Sequence, residues 1–246
     1  MKINKFNLLD LFCGAGGLSL GFLLTEKFHL LGGIDNWKPA IETISYNHPE
    51  IENDNFINDS VGNTLKSKDI LNKFKDVDII MGGPPCQGMS LAGKRLSNDP
   101  RNQLFKDFVN YVDILKPKAF LMENVPGILS IENGAINQAI LSSFKSIGYS
   151  LTSNSPVILK SEYYGVPQIR RRLFYLGFRK DIKVRINNWP PPVTHGYNFE
   201  NKNQLSFDFP SDLKNILTVE DAISDLPNLK NGEGEEVMKY SDTYNN

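Results

Sequence analysis

The sequence predicts an α/β fold, a doubly wound and mostly parallel sheet with an antiparallel edge strand. Three observations lead there. Short apolar runs alternate with amphipathic stretches through the first 150 residues, as successive βα units around a parallel sheet do. The apolar runs stop abruptly at Gly14, at Asp35, at Gly82-Gly83-Pro84-Pro85 and at Glu123, the way strands end in loops. Past residue 150 two strand-like runs follow one another, which reads as an antiparallel pair at the sheet's edge.

Taken in order, strands are expected near 6–12, 30–35, 54–58, 77–82 and 118–123, and helices near 18–26, 38–47, 63–74, 102–115 and 133–147. Residues 150–158 and 171–178 read as the further strands. Trp189-Pro190-Pro191-Pro192 breaks the pattern, because proline cannot continue a helix or a central strand. Beyond it the chain is rich in Asn, Asp, Lys and Ser, with one short helical signal at 219–225. Residues 231–246 carry almost no apolar side chains and are expected to be disordered without a partner. The division expected is a catalytic domain over 1–185 and an extension over 186–246.

Composition narrows the class. A chain of 246 residues, 40% hydrophobic, can bury a substantial core. No apolar run approaches the length that spans a membrane, and Met1-Lys2-Ile3-Asn4-Lys5 is no secretory signal. Two cysteines make no disulfide framework, and a working thiolate needs a reducing cytosol, so the expected location is cytoplasmic. Three scattered histidines with two cysteines give no metal-ligand spacing. Net charge is −1, yet Arg170, Arg171, Arg172, Arg179, Lys180, Lys183 and Arg185 form a local basic island opposed only by Asp181.

Four stretches carry chemistry. In the first, an apolar strand enters the turn Phe12-Cys13-Gly14-Ala15-Gly16-Gly17-Leu18 and a helix follows. Glycine lets backbone approach a ligand closely and adopt positive φ. A dinucleotide fingerprint starting at Gly14 would need glycine where the chain has Ser19, so a pyrophosphate fits poorly and an adenosine cofactor without phosphates fits better. Asp35, about twenty residues on, stands where a ribose-binding carboxylate belongs. In the second, Val77-Asp78-Ile79-Ile80-Met81 runs into Gly82-Gly83-Pro84-Pro85-Cys86-Gln87 and puts a thiol at a strand's carboxyl end. That end faces the crevice where open α/β sheets bind ligands, so Cys86 reads as a nucleophile rather than core filler. The third, Ala119 to Gly127, ends a strand in Glu123 on the same rim. The fourth, Gly165 to Phe178, sends Arg170 and Arg172 to one face and Arg171 to the other if it is a strand throughout.

In this order the four stretches resemble the cytosine carbon-5 DNA methyltransferases over about residues 6 to 180. The glycine turn is similar to that family's S-adenosylmethionine motif, and Gly83 to Ser90 to its nucleophile motif. Glu123-Asn124-Val125 resembles its acid motif and Gln168 to Arg172 its arginine motif. Ala92-Gly93-Lys94-Arg95, Asp99-Pro100-Arg101-Asn102 and Leu104-Phe105 resemble its mobile loop and the helix after it. The resemblance implies the S-adenosylmethionine-dependent methyltransferase type of sheet. It implies that Phe12, Gly14, Ala15, Gly16, Gly17, Leu18, Asp35, Asn36, Asp59, Ser60 and Pro84 hold S-adenosylmethionine, with Asp35 on the ribose and Asp59 on the adenine amino group. Cys86, Glu123, Arg170 and Arg172 are implied to be catalytic, and Pro85, Gln87, Ser90, Asn124 and Val125 to meet the substrate. The implied substrate is a cytosine flipped out of duplex DNA, in a bacterial restriction-modification setting.

Members of that family continue into a target-recognition region and two last motifs, whereas Thr218 to Pro227 resembles the segment just ahead of it. The expectation is therefore a catalytic half, from an enzyme split into two polypeptides or from a longer chain. A second, basic polypeptide carrying the recognition region is the expected partner. Two other readings stay open. A transfer RNA cytosine methyltransferase shares the motif set, and a non-catalytic regulator shares the fold.

Overall fold

The architecture comes from a computed structural model that describes residues 5–85, 103–184, 188–197, 213–235 and 237–239. The elements run β1 (Phe6–Leu11), α1 (Gly17–Leu23), β2 (Phe28–Asp35), α2 (Lys38–Asn47), β3 (Phe56–Asn58), α3 (Val61–Thr64), α4 (Lys68–Lys73), β4 (Ile79–Gly82), α5 (Gln103–Leu115) and β5 (Ala119–Asn124). They continue with α6 (Ala135–Ser146), β6 (Tyr149–Leu151), β7 (Val157–Lys160), β8 (Arg171–Arg179), β9 (His195–Gly196), β10 (Lys214–Asn215) and α7 (Val219–Ile223). The main sheet follows the order β3-β2-β1-β4-β5-β8-β6. Strands β3 through β5 are mutually parallel, and β8 lies antiparallel between β5 and β6. The mostly parallel α/β sheet expected from the alternation is thus the one observed, with its antiparallel strand one place in from the edge.

Side-chain alternation along the strands builds two cores. Leu9, Leu11, Ile80, Phe120 and Met122 point to one face, where they pack with Phe74, Phe108, Val112, Ile140 and Phe144 from the α4–α6 side. Leu8, Met81 and Leu121, on the alternate positions, point to the other face and pack with Ile41 and Ile44 of α2 and Leu18 and Phe22 of α1. This period of two is what a strand covered on both sides requires. Phe120 stacks on Phe144 with ring centroids 3.8 Å apart and an interplanar angle of 13°.

Several boundaries differ from the sequence expectation, each with a local cause. The helix expected over 63–74 is two helices, because the Ser67 hydroxyl accepts the Ile70 N–H and caps a new start. The strand expected over 54–58 starts at Phe56, since Asn53–Asn55 form a 3-10 turn. The strand expected over 150–158 is β6 and β7, separated by a turn at Ser153-Asn154 that the Ser155 N–H closes onto the Thr152 carbonyl. Strand β8 starts at Arg171, so Arg170 lies ahead of it and the face alternation expected from 170 to 172 holds only for Arg171 and Arg172.

Two compact units partition the chain. One holds residues up to Ile158 together with Leu173–Trp189, and the other holds Leu159–Arg172 together with the residues from Pro190 onward. The first unit contains the doubly wound core. In the second, the Tyr164 hydroxyl donates to the Pro191 carbonyl and the Tyr163 and Tyr197 rings meet edge to face. No helix among the described residues is long and apolar enough to cross a membrane.

Candidate active site

Topology places the site. From β1 the sheet extends through β2 on one side and β4 on the other, so the carboxyl ends of β1 and β4 flank the point where strand order reverses. Crevices at such points bind ligands. A cavity of about 130 Å³ lies there, lined by Phe12, Asp35, Asn36, Ser60, Val61, Gly83, Pro85 and Leu104.

Its first wall is the turn after β1. Phe12, Gly14 and Gly16 all take left-handed backbone, with φ of 56°, 53° and 87°. A non-glycine residue there is uncommon and costs strain. The surroundings impose it: the Cys13 N–H donates to the Ile34 carbonyl, and the Gly14 N–H donates to Asp35 Oδ2 at 2.9 Å. Asp35 Oδ1 in turn accepts the Trp37 N–H at 2.9 Å. Both carboxylate oxygens are thereby fixed, each with acceptor capacity left for a ligand hydroxyl. A Cβ on Gly16 would come within 2.9 Å of the Ile44 side chain, whereas one on Gly14 or Gly17 would meet nothing within 4 Å. That open space lets a ligand approach the main chain. Asp59 and Ser60 sit beyond β3, where Asp59 Oδ1 accepts from the Ser60 N–H and from the Asn63 side chain, and the Ser60 hydroxyl caps α3.

The second wall is the turn after β4. Gly83 packs against Glu123, so closely that a Cβ on Gly83 would lie 2.8 Å from Glu123 Oε2. The Asn124 amide is spent on the main chain: Nδ2 donates to the Pro84 carbonyl at 2.9 Å and Oδ1 accepts the Val125 N–H at 2.8 Å. Asn124 thus ties the end of β5 to the Pro84-Pro85 lead-in. Cys86, Gln87 and Ser90, with the loop to Asn102, lie outside the described residues. The other thiol, Cys13, is only 6% exposed, and burial pushes its pKa up, away from the thiolate form.

The C-5 cytosine-specific DNA methylase family model matches residues 6–245. The chain belongs to that family. Among curated relatives, the Type II methyltransferase M.DdeI of Desulfomicrobium norvegicum is 38% identical over 238 residues, covering 95% of this chain and 51% of the relative. M.AgeI of Thalassovita gelatinovora is 39% identical over 225 residues, covering 89% of this chain and 50% of the relative. The chain therefore spans about half the length of the relatives it matches. A solved structure of a proposed DNA modification methyltransferase encoded within an E. coli prophage superposes with a TM-score of 0.68 at 31% identity, over 92% of this chain and 56% of that one.

Of the positions that the methylase resemblance assigns, Phe12, Asp35, Asn36, Ser60 and Pro85 line the same cavity, while Pro84 lies in the second turn and Glu123 and Asn124 pack against that turn from β5. Arg170 and Arg172 belong to the second unit. There Ser161 holds the arginine segment: its N–H donates to the Arg170 carbonyl, its hydroxyl donates to the Gln168 carbonyl, and the hydroxyl oxygen accepts the Arg170 N–H. Val61, Gly83 and Leu104, which also line the cavity, were not among the expected site residues. Nor were Asp10 and Ser19, buried behind the first turn. One signal for Asp10 was present, a carboxylate inside the otherwise apolar run Leu8 to Phe12.

Proposed function

We propose that the chain is the catalytic part of an enzyme that transfers a methyl group from S-adenosylmethionine to carbon-5 of a cytosine flipped out of duplex DNA, through a covalent Cys86 adduct. The observation that carries this reading is the cavity shared by the two turns, with the cofactor-type wall on one side and Pro85, next to Cys86, on the other. The residues present suit the cofactor. The Asp35 carboxylate has acceptor capacity for ribose hydroxyls, Phe12 offers an aromatic face, and the open glycine positions accept close approach to main chain. Bound there, S-adenosylmethionine supplies an electrophilic methyl group.

The protein's own groups do the rest. Carbon-5 of cytosine is a weak nucleophile. Addition of the Cys86 thiolate to carbon-6 forms a C–S bond and makes carbon-5 enamine-like. The charge developing at ring N3 takes a proton or a strong hydrogen bond from Glu123, which packs against Gly83 near the end of β5. Arg172 holds the base carbonyl oxygen and Arg170 supports the loop or the carboxylates. After methylation, carbon-5 loses its proton to water, the C–S electrons return to sulfur, and the thiolate is released. The target atoms lie inside the duplex stack, so the base must be extruded into the pocket.

Similarity to Type II methyltransferases supports DNA as the substrate and restriction-modification as the setting. The chain spans about half of those relatives, and the proposal includes a basic target-recognition region, carried by a second polypeptide or by a longer form of this chain. Transfer of labelled methyl groups to duplex DNA and to transfer RNA tests it, with the chain alone and with a candidate partner. Sequence-specific labelling of DNA that needs the partner and is lost in Cys86→Ser supports the reading. Labelling of transfer RNA alone contradicts the substrate, and full activity without a partner contradicts the split.

A further inference from the structure

Behind the glycine turn lies a buried pair that the methyl-transfer chemistry does not use. Asp10 is 1% exposed on the central strand β1, between Gly33 of β2 and Met81 of β4. Its Oδ2 has no hydrogen-bond partner among the described residues. Ser19 of α1 is fully buried, and its hydroxyl donates to the Gly16 carbonyl at 3.1 Å. That carbonyl belongs to the left-handed Gly16 which starts α1.

A serine hydroxyl has one proton and two lone pairs. With the proton committed to Gly16, Ser19 Oγ offers Asp10 only a lone pair. A hydrogen bond between the two side chains then needs the proton on Asp10. We propose that Asp10 works as a neutral carboxylic acid and is a positioning residue of the cofactor turn, donating to Ser19 Oγ so that Ser19 can donate to Gly16. Ionised Asp10 would instead draw the Ser19 hydroxyl to itself and take its proton away from Gly16. It would also place a buried negative charge near the half-buried Asp35, the carboxylate that holds the Gly14 N–H.

Burial is what favours the neutral form. Burial pushes the Asp10 pKa up to about 7, Asp35 adds to the rise, and hydrogen bonding with Ser19 pulls partly against it. The titratable groups facing Asp10 are Asp35 at the end of β2 and the Cys13 thiol just past its own strand. Neither α1 nor β4 carries any titratable residue. The sign follows. Cofactor binding to the ordered turn favours the protonated form, so affinity falls as pH rises through the Asp10 pKa, and binding takes up protons there.

This inference rests on the reading of the turn as a cofactor site, so its test has a readout independent of ligand. Carbon-13 carboxyl shifts of the full chain, titrated from about pH 5 to about pH 9, report Asp10 directly. An Asp10 signal that ionises near neutrality is expected, and in Ser19→Ala, where the burial remains and an opposing hydrogen bond is lost, it should not move down to the ordinary carboxylate range. An Asp10 that is ionised across the whole range overturns the proposal, whether or not cofactor binds. The second measurement is calorimetric titration with S-adenosylhomocysteine, which lacks the sulfonium charge, in buffers of different ionisation enthalpy. The wild-type chain should weaken by on the order of tenfold between about pH 6 and about pH 8 and take up as much as about one proton. Asp10→Asn, whose amide can donate to Ser19 Oγ, should hold the low-pH affinity throughout and take up none. Equal pH dependence in wild type and Asp10→Asn overturns the proposal. No binding by wild type at any pH instead contradicts the cofactor reading itself.

Discussion

The turns after β1 and after β4 face one cavity and are held by opposite means. The first is a main-chain device. Three left-handed residues fold it back, and its N–H groups are clasped by the Ile34 carbonyl and the Asp35 carboxylate. The second has no left-handed residue among its described positions, and is held by prolines and by a side chain, Asn124, reaching across from β5. The difference fits the tasks proposed for them. A turn that presents backbone to a ligand must keep side chains out of the way. A turn that presents a reacting side chain must fix the position of the residue bearing it, which stiff Pro-Pro geometry and a buried amide bond achieve.

Separate supports should fail separately. The largest effect is expected for Gly83→Ala, whose new Cβ would sit 2.8 Å from Glu123 Oε2 and displace the proposed acid. Methyl transfer should fall on the order of 100-fold while cofactor affinity stays near wild type. Equal losses in both would merge the two turns into one unit. Gly16→Ala should do the reverse. Alanine at a φ of 87° and 2.9 Å from Ile44 costs roughly 1–3 kcal/mol, and affinity should weaken about tenfold for each 1.4 kcal/mol that reaches the bound state. Calorimetry reads it directly. Asn124→Ala strips partners from the buried Pro84 carbonyl and the Val125 N–H. A stability loss of about 1–3 kcal/mol in denaturant unfolding is expected, with cofactor affinity again unaffected.

The sequence made the strands of the parallel half legible because each apolar run ended at a turn residue, and α2 was readable to its ends. It also marked most of the cavity lining, since Phe12, Asp35, Ser60 and Pro85 all follow strand ends. What it hid are pairings between distant positions. Gly83 against Glu123 and Asn124 on Pro84 join residues about 40 apart in the chain, and no local pattern encodes them. The break between α3 and α4 was hidden because Ser67 reads equally as a solvated helix residue or a cap. Asp10 was passed over because its neighbours made the strand obvious, and a buried acid acquires meaning only beside Ser19.

The most direct measurement concerns which sulfur attacks the base. Duplex DNA carrying 5-fluorocytosine traps the adduct, because the fluorine cannot leave as the carbon-5 proton does. The chain, together with the recognition region proposed for it, is incubated with S-adenosylmethionine and this DNA, and the adduct is mapped by mass spectrometry. The expected result is a single cofactor-dependent adduct at Cys86, absent in Cys86→Ser. An adduct at Cys13, or methylation of ordinary DNA that survives Cys86→Ser, would contradict the assignment of the two turns.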